Sequence, residues 1–150
     1  MKFLQTLTIE VPRFRGGNAA CGVIWSMLLG VAFLYAAGTG LKFPFWYHWD
    51  EESKAVQLTE GGRDLYHPLL LVNTADAVAH LVRPHQGSLQ HATETGRMVA
   101  AAFMAASIAA MALAAWVTAG PMSGVLAGVF LFLHPLLFRY AHFFKEDPAL

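Results

Sequence analysis

Residues 98–138, MVAAAFMAASIAAMALAAWVTAGPMSGVLAGVFLFLHPLLF, contain no Asp, Glu, Lys or Arg. A helix needs about 20 apolar residues to cross the hydrocarbon core of a bilayer, so this run is too long for one crossing. Gly120-Pro121 lies near its middle and is typical of one helix ending and another beginning. The run therefore predicts two membrane helices, about 98–119 and 121–139, joined by a tight turn. His134-Pro135 predicts a kink in the second of them.

A second uncharged run, AACGVIWSMLLGVAFLYAAGTGL at residues 19–41, is also long enough to cross a bilayer. A secretory signal peptide is the alternative, because Lys2, Arg13 and Arg15 precede the run. The run is, however, longer than the apolar region of such a peptide and lacks a clear small-residue cleavage site. We therefore expect an all-α integral membrane protein with three transmembrane helices.

The composition agrees with this fold class. The chain is 56% hydrophobic and 13% charged, and its mean hydropathy of +0.45 is high for a soluble domain. Its formal net charge is zero, which gives no reason to expect nucleic acid as a partner. The single cysteine, Cys21, lies inside the first apolar run and excludes an intrachain disulfide. Membrane lipids are the expected surroundings.

The segment between the first two spans, residues 42–97, is predicted to contain short helices. Residues 69–82 are apolar but include Asn73, Asp76 and His80, which form one polar stripe on a helix. A segment this short and amphipathic is typical of a helix that lies in the membrane interface, and we prefer that reading to a fourth crossing. The residues from Glu51 to Glu60, followed by a glycine pair, predict a further short helix.

The distribution of charge predicts the topology. Basic residues crowd the N-terminal flank while the turn near Gly120 has none, so the positive-inside rule places the N-terminus in the cytoplasm. With three crossings, Asp50 in HWDEE and Asp147 in KEDP both reach the non-cytoplasmic face, whereas a fourth crossing at residues 69–82 would separate them. Carboxylates just outside membrane helices are typical of sites that handle a membrane-borne substrate.

Four short motifs carry a resemblance to a known family. HWDEE after the first span, GGRDLYHPLLL, GR at the mouth of the second span and FKEDPAL after the third resemble the opening segment of the GT-C glycosyltransferases. The resemblance is to the glycosyltransferase family 39-like bacterial relatives of protein O-mannosyltransferases and aminoarabinose transferases, and it extends over nearly the whole chain. These enzymes move a sugar from a polyprenyl phosphate carrier to an acceptor on the non-cytoplasmic face. The resemblance implies a bacterial inner-membrane enzyme whose active face is periplasmic and whose acceptor is a protein or a lipid.

The resemblance implies that Asp50 is the catalytic base and that Glu51 completes an acidic pair. The chemistry of the residues agrees, because the attacking hydroxyl must lose its proton and a carboxylate in a partly dehydrated site is basic enough to accept it. The alternative is that these carboxylates only form a solvated helix N-terminus, where negative charge is favourable.

Asp147 matches the family position at which a second acidic residue helps to hold the donor phosphate, sometimes through a divalent cation. Asp50 and Asp147 are too few ligands to identify a metal, so metal dependence stays open. The alternative for Asp147 is a charged tail that caps a membrane helix.

A phosphate leaving group also needs nearby positive charge, because negative charge develops on its oxygens in the transition state. The candidates for binding the donor phosphate are Arg63, His67, Arg139 and Lys145. Each has an alternative reading. Arginine and lysine near helix ends often extend to lipid headgroups, and a histidine before proline is often a turn residue.

The family's enzymes are several times longer than this chain, and three spans cannot enclose a lipid donor and an acceptor on all sides. We therefore expect residues 1–150 to be the N-terminal part of a GT-C transmembrane domain, a fragment that is inactive alone. The alternative from another class is a small non-catalytic membrane protein, an assembly or accessory subunit. Replacing Asp50 with Asn would leave such a subunit functional and would abolish transfer by the enzyme.

Overall fold

The computed structural model describes residues 16–44, 48–64, 69–82 and 88–145. Within these ranges the chain forms helices and no strand, which confirms the all-α class. The helices are α1 (Gly16–Gly38), α2 (Trp49–Glu60), α3 (Leu70–Val82), α4 (Leu89–Ala119), α5 (Pro121–Phe132) and α6 (Pro135–Tyr140).

Helix α4 is the centre of the fold and contacts α1, α2, α3 and α5. Helix α1 lies antiparallel along it, because Gly22 near the start of α1 faces Trp116 while Gly38 at its end faces Met98. Helix α5 turns back from the end of α4 and also packs against α1. Long helices α1 and α4 and the pair α5–α6 therefore lie side by side.

Small residues allow these helices to approach closely. A Cβ atom on Gly22 would lie 2.8 Å from the indole of Trp116, and one on Gly124 of α5 would lie 2.5 Å from the same side chain. The Nε1 atom of Trp116 donates a hydrogen bond of 2.9 Å to the carbonyl of Asn18. Trp116 is thus wedged between two glycines and joins α1, α4 and α5 at one end of the molecule.

Two helices, α1 and α4, are long and apolar enough to cross a membrane. Only 28% and 39% of their most apolar windows are buried inside the protein. Large apolar side chains such as Met27, Val31 and Tyr35 of α1 face outward instead. Because exposing contiguous apolar surface to water is unfavourable, this outer face favours association with a membrane.

The predicted span 121–139 is divided in the structure. Helix α5 ends at Phe132, and α6 begins with Pro135 at its first position. Proline has no N–H to donate, its ring clashes with the preceding turn, and it disfavours helical backbone at the residue before it. His134 accordingly has extended backbone angles, φ −73° and ψ 117°. The predicted kink is therefore present as a complete break, and α5 is too short to cross a bilayer without α6.

Helix α4 begins earlier than the sequence predicts. Residues 89–97, assigned above to the loop, are helical, and the Ser88 side chain caps them by accepting a hydrogen bond of 3.2 Å from the backbone N–H of His91. The predicted span begins just after Arg97, the last charged residue before the apolar run. Charge does not end a helix, because residues such as Glu94 and Arg97 are good helix formers. The two short helices predicted in the same loop are present as α2 and α3.

Candidate functional site

Four segments that are distant in sequence meet where α1 ends and α4 begins. They are residues 41–44 after α1, residues 48–54 at the start of α2, residues 90–97 of α4, and residues 141–145 after α6. We call this region the polar junction.

Asp50 lies in the first turn of α2. The helix is capped by His48, whose Nδ1 accepts a hydrogen bond of 3.3 Å from the backbone N–H of Asp50. The Oδ2 atom of Asp50 is 3.7 Å from His48 Nδ1 and 3.8 Å from the Nζ atom of Lys145, and the Asp50 side chain is 18% exposed. A carboxylate that solvent can reach is thus placed beside an ammonium group contributed by the opposite end of the chain.

Glu51, the next residue, points into the protein and forms an ion pair with Arg97 of α4. Nε of Arg97 is 2.8 Å from Oε1 of Glu51, and Nη2 is 2.6 Å from Oε2. Both side chains are completely buried. This paired, parallel arrangement is the strongest form of arginine–carboxylate contact.

The remaining N–H groups of Arg97 hold the segment that follows α1. Nη1 donates to the carbonyls of Leu41, at 2.9 Å, and Phe43, and Nη2 donates to the carbonyl of Pro44 at 3.0 Å. All five guanidinium N–H groups therefore have acceptors. The guanidinium carbon also lies 3.4 Å from the centroid of the Phe43 ring, a cation–π contact.

Glu51 also holds the segment that follows α6. Its Oε1 atom accepts a hydrogen bond of 2.8 Å from the backbone N–H of Phe144. The ring of Phe144 is fully buried against Gly96, and a Cβ atom at position 96 would overlap it. Gly96 and Arg97, adjacent on α4, thus fix the two chain segments that flank the junction.

An open groove of about 500 Å³ lies next to the junction. Phe43, Phe138 and Phe143 line it with apolar rings, and its polar side chains are those of Thr39, Arg139 and His142. Phe143 also packs against His48, with ring centroids 4.9 Å apart. His48, which contacts both Phe143 and Asp50, thus links the groove wall to the Asp50 carboxylate.

The residues predicted from sequence fall into three groups. Asp50 and Lys145 come together, and Arg139 lines the groove beside them. Glu51 is buried in an ion pair, so its geometry favours a supporting role over the predicted direct one. His67 and Asp147 lie outside the described residues.

Arg63 is placed away from the junction. Its Nη2 atom is 2.6 Å from Oδ2 of Asp76, its Nε atom is 3.1 Å from Oδ1 of Asn73, and its Nη1 atom donates to the carbonyl of Gln57 at 2.9 Å. The predicted polar stripe of α3 thus binds this arginine. The geometry favours a role in joining α2 to α3 over the predicted contact with phosphate.

Arg97 belongs to the GR motif, but no role at the site was predicted for it from sequence. A signal was available, because an arginine directly before a long uncharged run needs a carboxylate if it is buried. What the sequence did not reveal is that this partner would be Glu51, 46 positions away in the chain.

No group of three or more His, Cys, Asp or Glu side chains in the part of the chain that the structure describes is arranged to hold a metal ion. A divalent cation bound between Asp50 and Asp147 stays a prediction, since Asp147 lies beyond that part. The Asp50 carboxylate lies 3.8 Å from the Lys145 ammonium group.

A scan against models of protein families, a search of curated proteins and a search of solved structures each found no match to this chain. The functional interpretation therefore depends on the geometry of the junction and on the resemblance of the motifs.

Proposed function

We propose that this chain is the N-terminal part of a GT-C membrane glycosyltransferase. It would transfer a sugar from a polyprenyl phosphate to a protein or lipid acceptor at the non-cytoplasmic face. The observation that carries the proposal is the meeting of Asp50 and Lys145, 3.8 Å apart, beside an aromatic groove. Three of the four motifs that resemble this family, HWDEE, GR and FKEDPAL, contribute described residues to the junction.

In the proposed membrane arrangement, α1, the apolar part of α4 and the pair α5–α6 are the three crossings. Their side-by-side packing supports this, since residues 121–140 together have the length that a crossing needs. Helices α2 and α3 would lie at the non-cytoplasmic surface. The exposure of Leu70, Leu81 and Val82 at the ends of α3 supports contact between that helix and the membrane interface.

The proposed reaction is a displacement at the anomeric carbon of the donor sugar. The acceptor hydroxyl forms the new carbon–oxygen bond while the bond from the same carbon to the phosphate oxygen breaks. Asp50 accepts the proton of the hydroxyl, and the polyprenyl phosphate leaves with the bonding electrons. Lys145 and Arg139 offset the negative charge that develops on the phosphate.

The groove beside the junction suits the lipid carrier. Its three phenylalanine rings offer an apolar surface to isoprenyl units, and Arg139 and His142 offer charge and a hydrogen bond to phosphate oxygens. The His142 side chain already engages α6, with Nδ1 2.7 Å from the carbonyl of Phe138, which fixes the orientation of its ring. The phosphate would then lie between Arg139 and Lys145.

The test is sugar transfer from a polyprenyl phosphate donor in detergent by the complete enzyme. We expect Asp50→Asn to lower kcat by about 10²-fold or more, because it removes the proton acceptor without changing the size of the side chain. The matched control is Glu52→Gln, which neutralises an exposed carboxylate in the same helical turn. Its kcat should stay within about twofold of the unmodified enzyme. Equal transfer by Asp50→Asn would remove Asp50 from the mechanism.

The second candidate function is a non-catalytic assembly subunit. It is favoured by the outward apolar side chains of α5, such as Met122, Leu126 and Phe130, which a neighbouring membrane helix would cover. It predicts that partner binding survives Asp50→Asn. An open reading frame that continues past Leu150 into further hydrophobic spans would favour the enzyme instead.

A further inference from the structure

We infer that Glu51 and Arg97 are positioning residues that set the distance between Asp50 and Lys145. The inference rests on the proposed function, in which those two groups act on the substrate. Glu51 and Arg97 themselves are completely buried and do not line the groove. Any effect they have on the reaction must therefore pass through other residues.

The first link is from the ion pair to Asp50. Glu51 follows Asp50 directly in the first turn of α2, so the anchor that Arg97 provides also sets the direction of the Asp50 side chain. His48 caps the same turn through the backbone N–H of Asp50. The start of α2 is thus fixed at both sides of the proposed base.

The second link is from the ion pair to Lys145. The backbone N–H of Phe144 donates to Oε1 of Glu51, the same oxygen that accepts from Nε of Arg97. Lys145 follows Phe144 directly. One buried carboxylate therefore determines the positions of both neighbours, the base on its own helix and the ammonium group on the segment after α6.

The third link is from Arg97 to the groove. Its guanidinium group binds the carbonyls of Leu41, Phe43 and Pro44 and lies against the ring of Phe43, which forms part of the groove wall. Changes at Arg97 should therefore move both the catalytic pair and the groove, whereas changes at Glu51 should act mainly on the pair. Changes at Glu51 should therefore lower kcat, whereas changes at Arg97 should lower kcat and also raise the KM for the donor.

The competing explanation is that the pair only stabilises the fold. The Arg63–Asp76 ion pair is a reference with the same closest nitrogen–oxygen distance, 2.6 Å, but its side chains are about a quarter exposed, whereas Glu51 and Arg97 are fully buried. If the Glu51–Arg97 pair only stabilises the fold, its variants should unfold more easily, but the protein that is still folded should keep kcat and the donor KM. A positioning pair should change these constants in the folded protein.

The experiment compares Glu51→Gln, Arg97→Lys and Asp76→Asn in the complete enzyme. We expect kcat to fall by about a hundredfold in both junction variants, as a displacement of about 1 Å produces. The donor KM should stay within about threefold for Glu51→Gln and rise by about tenfold for Arg97→Lys, which loses the groove contacts. Asp76→Asn should change neither constant by more than about twofold. Glu51→Gln keeps the size of the side chain and serves if Arg97→Lys does not fold.

A second measurement needs no activity. Cysteines replace His48 and Phe143, whose rings lie 4.9 Å apart, in a Cys21→Ala background of this chain in detergent, and a short thiol cross-linker joins them. We expect cross-linking to fall about fivefold or more when Glu51→Gln or Arg97→Lys is added and to persist with Asp76→Asn. Unchanged cross-linking in the junction variants would overturn the inference.

The two measurements separate failure of this inference from failure of the proposed function. If Asp50→Asn transfers sugar normally, the proposed function fails, and the cross-linking still reports on positioning. If Asp50→Asn is inactive while Glu51→Gln and Arg97→Lys retain kcat, the proposed function stands and the positioning role is overturned.

Discussion

At the scale of single residues, the junction encloses the Glu51–Arg97 ion pair where solvent does not reach. Glu51 and Arg97 are each satisfied by several partners, so neither is left with an uncompensated charge. The arrangement makes the fold sensitive to the loss of one partner. It also explains why adjacent carboxylates in HWDEE have different surroundings, with Asp50 partly exposed and Glu51 enclosed.

The first residue-scale prediction concerns Arg97→Met. It leaves the Glu51 carboxylate buried without its cation, and we expect the free energy of unfolding to fall by about 3–5 kcal/mol. Adding Glu51→Leu should recover part of this loss, because the double variant no longer buries a lone charge. Denaturation in mixed detergent micelles measures both values. A double variant whose loss equals the sum of the two single losses would contradict the account.

The second residue-scale prediction concerns Gly96→Ala. The added methyl group overlaps the buried ring of Phe144, so the segment after α6 must shift, at a cost of about 1–3 kcal/mol. Gly38→Ala is the control, because a Cβ atom there meets only the end of the Met98 side chain at 4.0 Å. Thermal unfolding compares the two. Equal midpoints for both variants would show that Phe144 is not held against Gly96.

At the scale of elements, α4 organises the molecule through its two ends. One end carries Gly96 and Arg97 at the junction, and the other carries Trp116 between α1 and α5. The helix ends at Gly120, which has a positive φ of 93° that suits glycine, and Pro121 starts α5. The α4–α5 hairpin thus depends on close contact along small residues.

The element-scale prediction concerns Gly124→Val. Its side chain would meet the Cβ of Trp116 at 2.5 Å, so the hairpin must open, and we expect a loss of about 1–3 kcal/mol. Trp116→Gly should rescue this variant in part, because it removes the Cβ atom that the new side chain meets, although alone it is destabilising. A double-variant cycle measures the coupling between the two sites. Additive losses would mean that the two residues do not touch.

The sequence predicted those helices whose limits are set by neighbouring residues, such as apolar runs, glycine and proline. Apolar runs located α1 and the apolar part of α4, Gly120-Pro121 located the hairpin, and Pro135 located the break before α6. The start of α4 was missed because a charged residue was treated as the limit of the helix. The Glu51–Arg97 and Arg63–Asp76 pairs were missed because they join separate helices, and no local pattern encodes which charges meet across a fold.

At the scale of the whole molecule, the two ends of the packed helices α1, α4 and α5 differ in chemistry. The polar junction, α2 and α3 occupy one end, and the α4–α5 hairpin with Trp116 occupies the other. The proposed enzyme needs the first end to face the non-cytoplasmic side, where Asp50 and Lys145 meet the donor. The hairpin and the N-terminus would then both face the cytoplasm.

Labelling of single cysteines with a membrane-impermeant thiol reagent tests this arrangement most directly. Cysteines are placed at Glu52, Lys145 and Ala119 in turn in a Cys21→Ala background, and intact cells are labelled from outside. We predict that positions 52 and 145 react and that position 119 reacts only after the membrane is permeabilised. Labelling of position 52 without position 145, or of position 145 without position 52, would contradict the account.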